Sequence, residues 1–355
     1  MRILHIISSL GQGGAEKLVS DIALYCNKKM DILILDNSFG VYGEKLQQRG
    51  INIIRPSQKR SFFSFSNFFF LRKHIKKYDV IHVHLFPCLY WIALLSLFVS
   101  KKYVYTEHNT YNRRRKYVFL RLIERYIYSR YNNIICISES VATNLKLWLR
   151  VDWKNISIIS NGIVLDNYEN ATPYKKTDFQ NCQNDDILLV MVARFSASKD
   201  HPTLIKTMSL LPAKCKLLLV GYGERENEYR ELVKTLNLTD RVCFLGFRQD
   251  VPNILKTANI GVISSHWEGF GLVSVEYMAA GCPVIASNVN GLSDIVKDAG
   301  LLFEAGNIDD LKEKIELLLN DDAKYREISL ACIQRSEEFG IEKIVASYFY
   351  LYEKL

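Results

Sequence analysis

The chain has 355 residues, of which 48% are hydrophobic and 24% are charged. This length suits two domains better than one core, and the composition excludes a disordered chain. The net charge is uneven: residues 1–165 carry +15 (25 Lys+Arg minus 10 Asp+Glu), and residues 166–355 carry −7 (21 minus 28). The basic half indicates an anionic partner, with membrane lipid, a lipid-linked phosphate and nucleic acid as the candidates.

Neither the cysteines nor the longest uncharged stretch indicates a special class of protein. The eight cysteines show no C-x-x-C or metal-finger spacing, which predicts buried thiols in a reducing cytoplasm. The uncharged stretch Val80–Ser100 is interpreted as a buried strand, Val80–Leu85, and a buried helix, Leu89–Val99, in preference to a transmembrane segment. No cleavable signal is apparent, because the apolar run after Met1 is short and leads into a glycine turn.

Strand and helix patterns alternate through the first half of the chain. Residues Arg2–Ser8 predict a strand, Gly11–Gly14 a turn, and Ala15–Tyr25 a helix with apolar residues at helical spacing. Such alternation predicts a parallel sheet with helices on both faces, in which ligands collect at the carboxyl ends of strands. Gly13 and Gly14 lie at one of these ends. No G-x-G-x-x-G is present, which disfavours NAD or FAD as ligands.

The segment Lys59–Lys77 contains six phenylalanines flanked by basic residues. Two interpretations of the phenylalanines within 61–71 stay open. They form the core face of an amphipathic helix, or they lie on an anionic bilayer, where apolar burial and headgroup attraction act together. A second basic cluster, Arg113–Lys116, would serve the same membrane surface. No nucleic-acid motif accompanies either cluster, so we expect no nucleic-acid partner.

Three histidines follow or occupy predicted strands. His82 and His84 point to one side of a strand and are interpreted as core or cleft-edge residues, because no further metal ligands are apparent. His108 ends the strand Lys102–Thr106, at the edge of the sheet where ligands bind. We therefore take His108 as a candidate site residue, with Glu107 as a secondary one.

The alternation restarts after a polar segment, 166–186, which is predicted to be an interdomain linker. Residues Ile187–Ala193 form an apolar run typical of a strand buried on both faces. Arg194 and Lys199 follow it, five residues apart and before a helix that begins after Pro202. A guanidinium fork and an ammonium group at this position suit a diphosphate, although ordinary exposed basic residues are the alternative.

The stretch Ser264–Gly291 predicts a strand end, a glycine loop, a helix and a further strand. Gly269 and Gly271 let the backbone approach a ligand, and the N–H groups that begin the helix suit an anion. Glu268 and Glu276 are eight positions apart, about 12 Å along a regular helix, so they can reach opposite ends of an elongated ligand. Two solvated carboxylates on a surface loop are the alternative interpretation.

These motifs together resemble those of the family 4 glycosyltransferases, which have the GT-B fold of two Rossmann-like parallel-sheet domains facing a cleft. The matching segments are Gly13–Val19 (G-G-A-E-x-x-V), Ile159–Ile163 (I-x-N-G-I), Arg194–Lys199 (R-x4-K), Val242–Gly246 (V-x-F-x-G) and Glu268–Glu276 (E-x7-E). The resemblance covers nearly the whole chain. It implies an acceptor-binding domain at 1–165, a nucleotide-sugar-binding domain at 187–340, and a C-terminal helix at 341–355 that crosses back to the first domain.

The resemblance also implies an activity: retaining transfer of a hexose or N-acetylhexosamine from a nucleotide sugar, most often UDP-linked in this family. It assigns the diphosphate to Arg194 and Lys199, the ribose to Glu276, and the transferred sugar to Glu268 and His108. The other donor-binding residues that it implies are Gly13, Gly14, Gly221, Gly269, Phe270, Gly271 and Leu272. No cofactor and no metal are expected, since cationic side chains meet the diphosphate and no Asp-x-Asp occurs.

The basic first domain favours a lipid-linked or oligosaccharide acceptor in surface polysaccharide or glycan assembly. We therefore expect a cytoplasmic protein that binds peripherally to the anionic inner face of the cell membrane. Two alternatives stay open: a nucleotide-sugar epimerase on the same fold, and a non-catalytic nucleotide-sugar-binding protein at the membrane.

Overall fold

The computed structural model describes residues 1–11, 13–26, 28–58, 60–110 and 112–355. Gln12 of the predicted glycine turn and Lys59 of the Phe-rich segment lie outside these residues, as does the side chain of Arg113. The described chain divides into two compact units. Unit 1 contains residues 1–163 and 341–355, and unit 2 contains residues 164–340.

Unit 1 is built on a parallel sheet with the strand order β3-β2-β1-β4-β5-β6-β7 among the described residues. Its strands are β1 (Ile3–Ile7), β2 (Met30–Ile34), β3 (Ile53–Ile54), β4 (Val80–His84), β5 (Lys102–Glu107), β6 (Asn133–Cys136) and β7 (Ile156–Ile158). The helices between them are α1 (Gly14–Tyr25), α2 (Gly40–Gln48), α3 (Ser66–Ile75), α4 (Cys88–Leu95), α5 (Leu120–Tyr128) and α6 (Glu139–Leu149), and Arg113–Lys116 forms a 3-10 turn.

The centre of this sheet is the place where its strand order reverses. β1 and β4 are neighbours there, with Ile3 opposite Val80 and Ile6 opposite Val83. Every residue of both strands is buried, as expected for parallel strands covered by helices on both faces. The loops that follow β1 and β4 leave in opposite directions and open a crevice, the usual ligand site of such a sheet.

Unit 2 repeats this arrangement with the strand order β10-β9-β8-β11-β12-β13. The strands are β8 (Ile187–Val192), β9 (Cys215–Val220), β10 (Val242–Gly246), β11 (Ile260–Ile263), β12 (Val284–Ser287) and β13 (Leu301–Phe303). The helices are α7 (Asp166–Glu169), α8 (His201–Met208), α9 (Glu226–Thr235), α10 (Val251–Thr257), α11 (Leu272–Ala279), α12 (Ser293–Val296), α13 (Ile308–Asn320) and α14 (Asp322–Ser336). The strand order reverses between β8 and β11.

Residues 166–186, which the sequence predicts as a linker, lie within unit 2. They form α7 and a 3-10 turn at Lys176–Asp178, and α7 packs against α10 and α11. Tyr168, Phe179 and Cys182 are buried and anchor the segment to the rest of the unit. These three anchors are spaced too irregularly to give a helical or strand period, so the hydrophobic pattern did not reveal them.

The last helix, α15 (Ile341–Lys354), belongs to unit 1 and packs against α1. The N–H of Ile341 donates to the carbonyl of Ile163 (2.8 Å). This hydrogen bond joins the start of the helix to the last residue of the segment 1–163. Tyr348 and Tyr352 are fully buried on the inner face of α15. The end of the chain therefore contributes to the core around the first sheet.

Among the described residues, no helix has both the length and the apolar character needed to cross a bilayer. The uncharged stretch Val80–Ser100 forms β4 and α4, as the sequence predicts, although the helix ends at Leu95. All eight cysteines are free, and all but Cys26 are buried. Burial raises the pKa of Cys332 to about 11, which keeps this thiol protonated at neutral pH.

A buried carboxylate joins three helices of unit 1. Glu124 of α5 accepts hydrogen bonds from the Tyr90 hydroxyl (3.0 Å), Arg114 Nε (2.6 Å) and Trp148 Nε1 (2.7 Å). Its side chain is inaccessible to solvent. Because a buried carboxylate is stable only when its oxygens are hydrogen-bonded, this cluster fixes how α4, α5 and α6 pack.

Replacing Glu124 with Ala should lower the free energy of unfolding by about 3 kcal/mol, because it leaves the partly buried guanidinium of Arg114 without its partner. Urea denaturation followed by circular dichroism measures the loss. Glu44→Ala removes an exposed carboxylate from α2 and should change the stability by less than about 0.5 kcal/mol. Equal stabilities of the two variants would contradict a structural role for the cluster.

Candidate functional site

In unit 2 the predicted site residues lie at the reversal of the sheet. Arg194 follows β8, and Glu268 lies in the loop between β11 and α11. β8 and β11 are paired in parallel, so both loops leave the same edge of the sheet. The geometry therefore brings together two motifs that are far apart in the sequence, at the position where ligands bind in doubly wound sheets.

These two loops are bonded to each other. The N–H of His266 donates to the carbonyl of Ser198 (2.9 Å), and the Ser264 hydroxyl donates to the carbonyl of Asp200 (2.8 Å). Lys199 Nζ donates to Glu268 Oε1 in an ion pair, and Ser265 donates to the same carboxylate oxygen (3.2 Å). The structure thus places Lys199, which is predicted to bind the diphosphate, in direct contact with Glu268, which is predicted to bind the sugar.

Arg194 differs from Lys199 in its exposure. Its side chain is 72% exposed, and its guanidinium forms a 3.0 Å ion pair with Glu224, a residue that follows β9. Because both partners are solvated, this pair contributes little to stability. The guanidinium of Arg194 therefore lies at the surface, where an anionic ligand can approach it.

Close backbone packing holds the loop that carries Arg194. Gly221 follows β9 with φ +134°, and a Cβ there would lie 2.0 Å from the carbonyl oxygen of Ala193. A Cβ at Gly223 would lie 2.4 Å from the carbonyl oxygen of Phe195. Glycines at these positions let the backbone after β9 contact the backbone on both sides of Arg194. Gly221 is among the residues predicted from sequence, whereas Gly223 was not recognised.

The glycine loop before α11 is also closely packed. Gly271 caps the helix with φ +77°, and a Cβ there would lie 2.3 Å from Leu292 Cδ2. Phe270 is buried and packs edge-on against Phe339 with a centroid distance of 5.6 Å, so only its backbone is available to a ligand. Leu272 begins the helix, where the first N–H groups have no partner within the helix and suit an anion.

Tyr277 anchors α11 to the sheet and was not recognised from the sequence. Its hydroxyl accepts a hydrogen bond from the N–H of Val192 at the end of β8 (2.8 Å). Its ring lies over Gly261 of β11, where a Cβ would be 2.6 Å from Tyr277 Cδ2. This packing places Glu276, the adjacent residue, in a buried position on the helix.

In unit 1 the candidate residue His108 is joined to a group of buried histidines. His84 Nδ1 lies 3.2 Å from His108 Nε2, and His84 Nε2 lies 3.0 Å from His5 Nδ1. Burial lowers the pKa of His108 to about 4 and that of His5 to about 3, so both imidazoles are neutral at pH 7. His5, on β1, was not recognised from the sequence, because a single histidine in an apolar strand carries no distinctive spacing.

One ring nitrogen from each of His5, His82 and His84 lies within 4.8 Å of the other two, and this trio is the group with metal-ligand potential in the part of the chain that the structure describes. His5 thus supplies the third imidazole that the sequence did not reveal. His82 is hydrogen-bonded through both ring nitrogens, to the Tyr352 hydroxyl (2.5 Å) and to Thr106 Oγ1 (2.7 Å). The rings are therefore fully engaged with other side chains.

The remaining predicted residues of unit 1 differ in their surroundings. Gly13 and Gly14 lie at the start of α1, and no protein atom comes within 4 Å of a Cβ placed on Gly14. The surrounding protein therefore leaves room for a side chain at position 14, so packing within the protein does not require glycine there. Glu107 is buried and accepts a hydrogen bond from Tyr128, and it pairs with Arg115 (3.7 Å). These contacts give Glu107 a structural role.

Unit 1 also has an apolar surface, formed by exposed side chains around α3, α4 and α5. Its members are Phe63, Phe65, Phe69, Leu94, Leu97, Phe98, Tyr117, Val118, Phe119, Leu122, Ile123 and Tyr126. A cavity of about 490 Å³ opens between α4 and α5, and Phe63, which precedes α3, also lines it. Phe68 of the Phe-rich segment is buried, as the core interpretation expects, whereas Phe63, Phe65 and Phe69 are exposed, so one side of the segment belongs to the core and the other faces outward.

The apolar side of α5 faces outward. Leu122 is 74% exposed and Tyr126 is 55% exposed, whereas Glu124 on the same helix is buried. The sequence-based expectation was that the basic cluster Arg113–Lys116 serves this surface. The expectation is wrong for two members of the cluster. Arg114 and Arg115 are instead paired with the buried carboxylates of Glu124 and Glu107, because those carboxylates require cationic partners.

Comparison with solved structures defines the class of fold. The crystal structure of HepE from Anabaena in complex with UDP and glucose is similar to this chain with a TM-score of 0.87 and 22% identity, over 100% of both chains. The two parallel-sheet domains therefore form a GT-B fold. Residues 12–167 match the model of Glycosyltransferase Family 4, and residues 175–335 match that of Glycosyl transferases group 1. The chain belongs to the group 1 glycosyltransferases.

Two curated relatives have names that specify lipid-linked acceptors. A UDP-Gal:alpha-D-GlcNAc-diphosphoundecaprenol alpha-1,3-galactosyltransferase from Escherichia coli is 28% identical, over 81% of this chain and 77% of its own length. An N-acetylgalactosamine-N,N'-diacetylbacillosaminyl-diphospho-undecaprenol 4-alpha-N-acetylgalactosaminyltransferase from Campylobacter jejuni is 24% identical, over 95% of both chains. Both similarities extend across the two domains.

The close approach at Gly221 should make this glycine difficult to replace. Gly221→Ala is expected to lower the free energy of unfolding by at least about 3 kcal/mol, because the new Cβ meets a backbone carbonyl that cannot move aside. Gly246→Ala is the matched control: Gly246 also has a positive φ (+64°), but no atom lies within 4 Å of its Cβ position. That variant should lose about 1–2 kcal/mol. Equal losses in urea denaturation would contradict the close approach.

Proposed function

We propose that this protein is a retaining glycosyltransferase that moves a hexose or N-acetylhexosamine from a UDP-sugar to a lipid-linked glycan acceptor. The observation that carries this proposal is the contact of Lys199 with Glu268 beside the start of α11, at the reversal of the second sheet. The UDP in the HepE structure supports the choice of donor, and the undecaprenol-linked acceptors of the two relatives support the choice of acceptor.

The cations of unit 2 bind and stabilise the diphosphate. Arg194 approaches it from the exposed side, and Lys199 turns from Glu268 towards the phosphate oxygens when the donor binds. As the glycosidic bond to the diphosphate breaks, negative charge grows on the leaving oxygen, and the two cations with the N–H groups of Gly271 and Leu272 stabilise that charge. Because the protein supplies these charges, the proposed reaction requires no metal and no cofactor.

The carboxylates position the two ends of the donor. Glu276 accepts hydrogen bonds from the ribose hydroxyls, and Glu268 accepts them from hydroxyls of the transferred sugar. The backbone N–H groups of Gly269 and Phe270 complete the sugar site. His108 of unit 1 acts on substrate as a neutral imidazole, because its pKa of about 4 excludes the charged form at pH 7. Gly13 and Gly14, at the start of α1, leave space for a ligand.

A thermal-shift panel of UDP- and GDP-sugars tests the donor site, because a ligand that binds the native state raises the melting temperature. The double variant Arg194→Ala, Lys199→Ala should bind its preferred donor at least about 100-fold more weakly, since it lacks two charge-assisted contacts. Glu276→Gln should weaken binding about 10-fold, with no change in melting temperature when no ligand is present.

Arg326→Ala is the control for charge, because Arg326 is an exposed cation on α14 of the same unit. This variant should show the same donor-induced rise in melting temperature as the wild type. An undiminished shift in the Arg194→Ala, Lys199→Ala variant would overturn the assignment of these residues to the diphosphate.

Product analysis separates transfer from the two alternative activities on this fold. A transferase releases free UDP and elongates a synthetic undecaprenyl-diphosphate-linked sugar. An epimerase changes the donor when no acceptor is present, and a non-catalytic binding protein shows the thermal shift without any product. Transfer to the lipid-linked acceptor is the expected result.

We infer that unit 1 binds peripherally to the anionic inner face of the cell membrane. The +15 charge of residues 1–165 attracts an anionic surface, and the apolar surface around α3, α4 and α5 can insert below the headgroups. Exposed Arg72 and Lys73 on α3 and Arg125 on α5 stand beside the apolar side chains, which is the distribution typical of helices that lie in the interface. This placement would bring a lipid-linked acceptor to unit 1.

Flotation with phosphatidylcholine vesicles that contain 30% phosphatidylglycerol tests this inference. The triple variant Phe119→Ser, Leu122→Ser, Ile123→Ser should bind at least about 10-fold more weakly, because it removes apolar area that the bilayer would bury. Leu330→Ser, at an exposed leucine of unit 2, is the control and should float as the wild type does. Binding that depends on neither the triple substitution nor the anionic lipid would contradict the proposed membrane surface.

A further inference from the structure

A continuous series of hydrogen-bonded side chains, called the file below, runs inside unit 1 from Thr106 to His108 and includes Tyr352 of α15. It begins at Thr106 Oγ1, which bonds His82 Nε2 (2.7 Å), and His82 Nδ1 bonds the Tyr352 hydroxyl (2.5 Å). That hydroxyl lies 3.4 Å from His5 Nε2. The file then continues from His5 Nδ1 to His84 Nε2 (3.0 Å) and from His84 Nδ1 to His108 Nε2 (3.2 Å).

The file is rigid, because its members lie on four elements and pack tightly. His5 is on β1, His82 and His84 on β4, Thr106 on β5, and Tyr352 on α15, and all five are fully buried. The imidazoles of His5 and His84 are stacked with a centroid distance of 5.1 Å and an interplanar angle of 17°. The ring orientations are therefore fixed by packing as well as by hydrogen bonds.

The file also constrains where its protons lie. Burial lowers the pKa of each imidazole, most strongly for His82 and His84, so every ring is neutral at pH 7. A neutral imidazole has one N–H donor and one bare nitrogen, and the Tyr352 hydroxyl has a single proton. In such a file each ring must donate to one neighbour and accept from the other, since two facing donors or acceptors would leave buried groups unsatisfied. All members therefore donate in the same one of two directions, and that direction fixes the tautomer of every ring.

We propose that this file positions His108: it holds the ring in one orientation, and one of its two directions prevails, so that the ring has a single neutral tautomer with Nδ1 left for the substrate. Tyr352 is the central positioning residue, because it is the link between His82 and His5. The functional consequence rests on the role proposed above for His108 as a residue that acts on substrate. The last helix of the chain thereby supports the site, although none of its residues is proposed to touch substrate.

Metal binding by the same histidines is the competing assignment. A zinc ion bonds imidazole nitrogens at about 2.0–2.1 Å, so an ion held by His5, His82 and His84 would replace the hydrogen bonds between these rings. The file and the metal site therefore exclude one another. Stoichiometric zinc in the purified protein, lost on His5→Gln, would overturn the proposal, and its absence by elemental analysis supports the file.

Tyr352→Phe tests the file directly, because it removes the hydroxyl and keeps the ring. Tyr350→Phe, an exposed tyrosine on the same helix, is the matched control. Long-range ¹H–¹⁵N correlation spectra of histidine-labelled protein report the tautomer, with His108 assigned by His108→Gln. Wild type and the control should show one neutral tautomer of His108, and Tyr352→Phe should show a mixture of two. An unchanged His108 signal in Tyr352→Phe would overturn the proposal.

Kinetics then separate the file from the role of His108. Release of UDP from the UDP-sugar with the largest thermal shift should have a kcat about tenfold lower in Tyr352→Phe, with a KM within about twofold of wild type. A changed tautomer with unchanged kcat would support the file and overturn the role of His108 in transfer. If Tyr352→Phe fails to fold, Thr106→Val removes the hydroxyl at the other end of the file, and the same shift of tautomer is expected.

Discussion

The contact of Tyr277 with the end of β8 is the interaction on which the geometry of the candidate donor site depends. Its hydroxyl accepts from the N–H of Val192, and its ring fills the space above Gly261. This fixes α11 against the two strands between which the sheet reverses. The start of the helix and Glu276 are thereby held beside the loop that carries Arg194 and Lys199, so one buried aromatic residue positions the two parts of the candidate site relative to each other.

In unit 1, hydrogen bonds among buried polar side chains fix the geometry of the candidate site, in place of a single aromatic contact. Its centre is polar: histidines of β1 and β4 are buried at the reversal of the sheet, where apolar side chains would be expected. Burying such groups costs free energy unless each is hydrogen-bonded, and here the neighbouring imidazoles and the hydroxyl of Tyr352 meet that demand. A hydrogen-bonded network of this kind has few alternative arrangements, which is consistent with the orienting role proposed for it towards His108.

The surface of unit 1 around α5 combines buried charge pairs with exposed apolar side chains. Glu124 and Glu107 draw Arg114 and Arg115 inward, while Leu122 and Tyr126 remain outside. α5 thus buries the carboxylate of Glu124 beside Ile127 and Tyr128, and it exposes Leu122, Ile123 and Tyr126, an unusual number of apolar side chains for the outer face of a soluble domain. Such an arrangement is stable when the buried charge is paired, and it leaves an apolar face exposed on the domain that carries the basic charge.

The sequence by itself determined the alternation of strands and helices, the two-sheet architecture and the residues of the R-x4-K and E-x7-E motifs, because hydrophobic period and glycine spacing are local signals. It did not reveal the pairing of Lys199 with Glu268, 69 residues apart, or the inclusion of 166–186 in unit 2. His5 and Tyr352 likewise have no local signature, since their partners lie on other elements. Only the tertiary structure, which packs β1, β4 and α15 together, decides contacts of this kind.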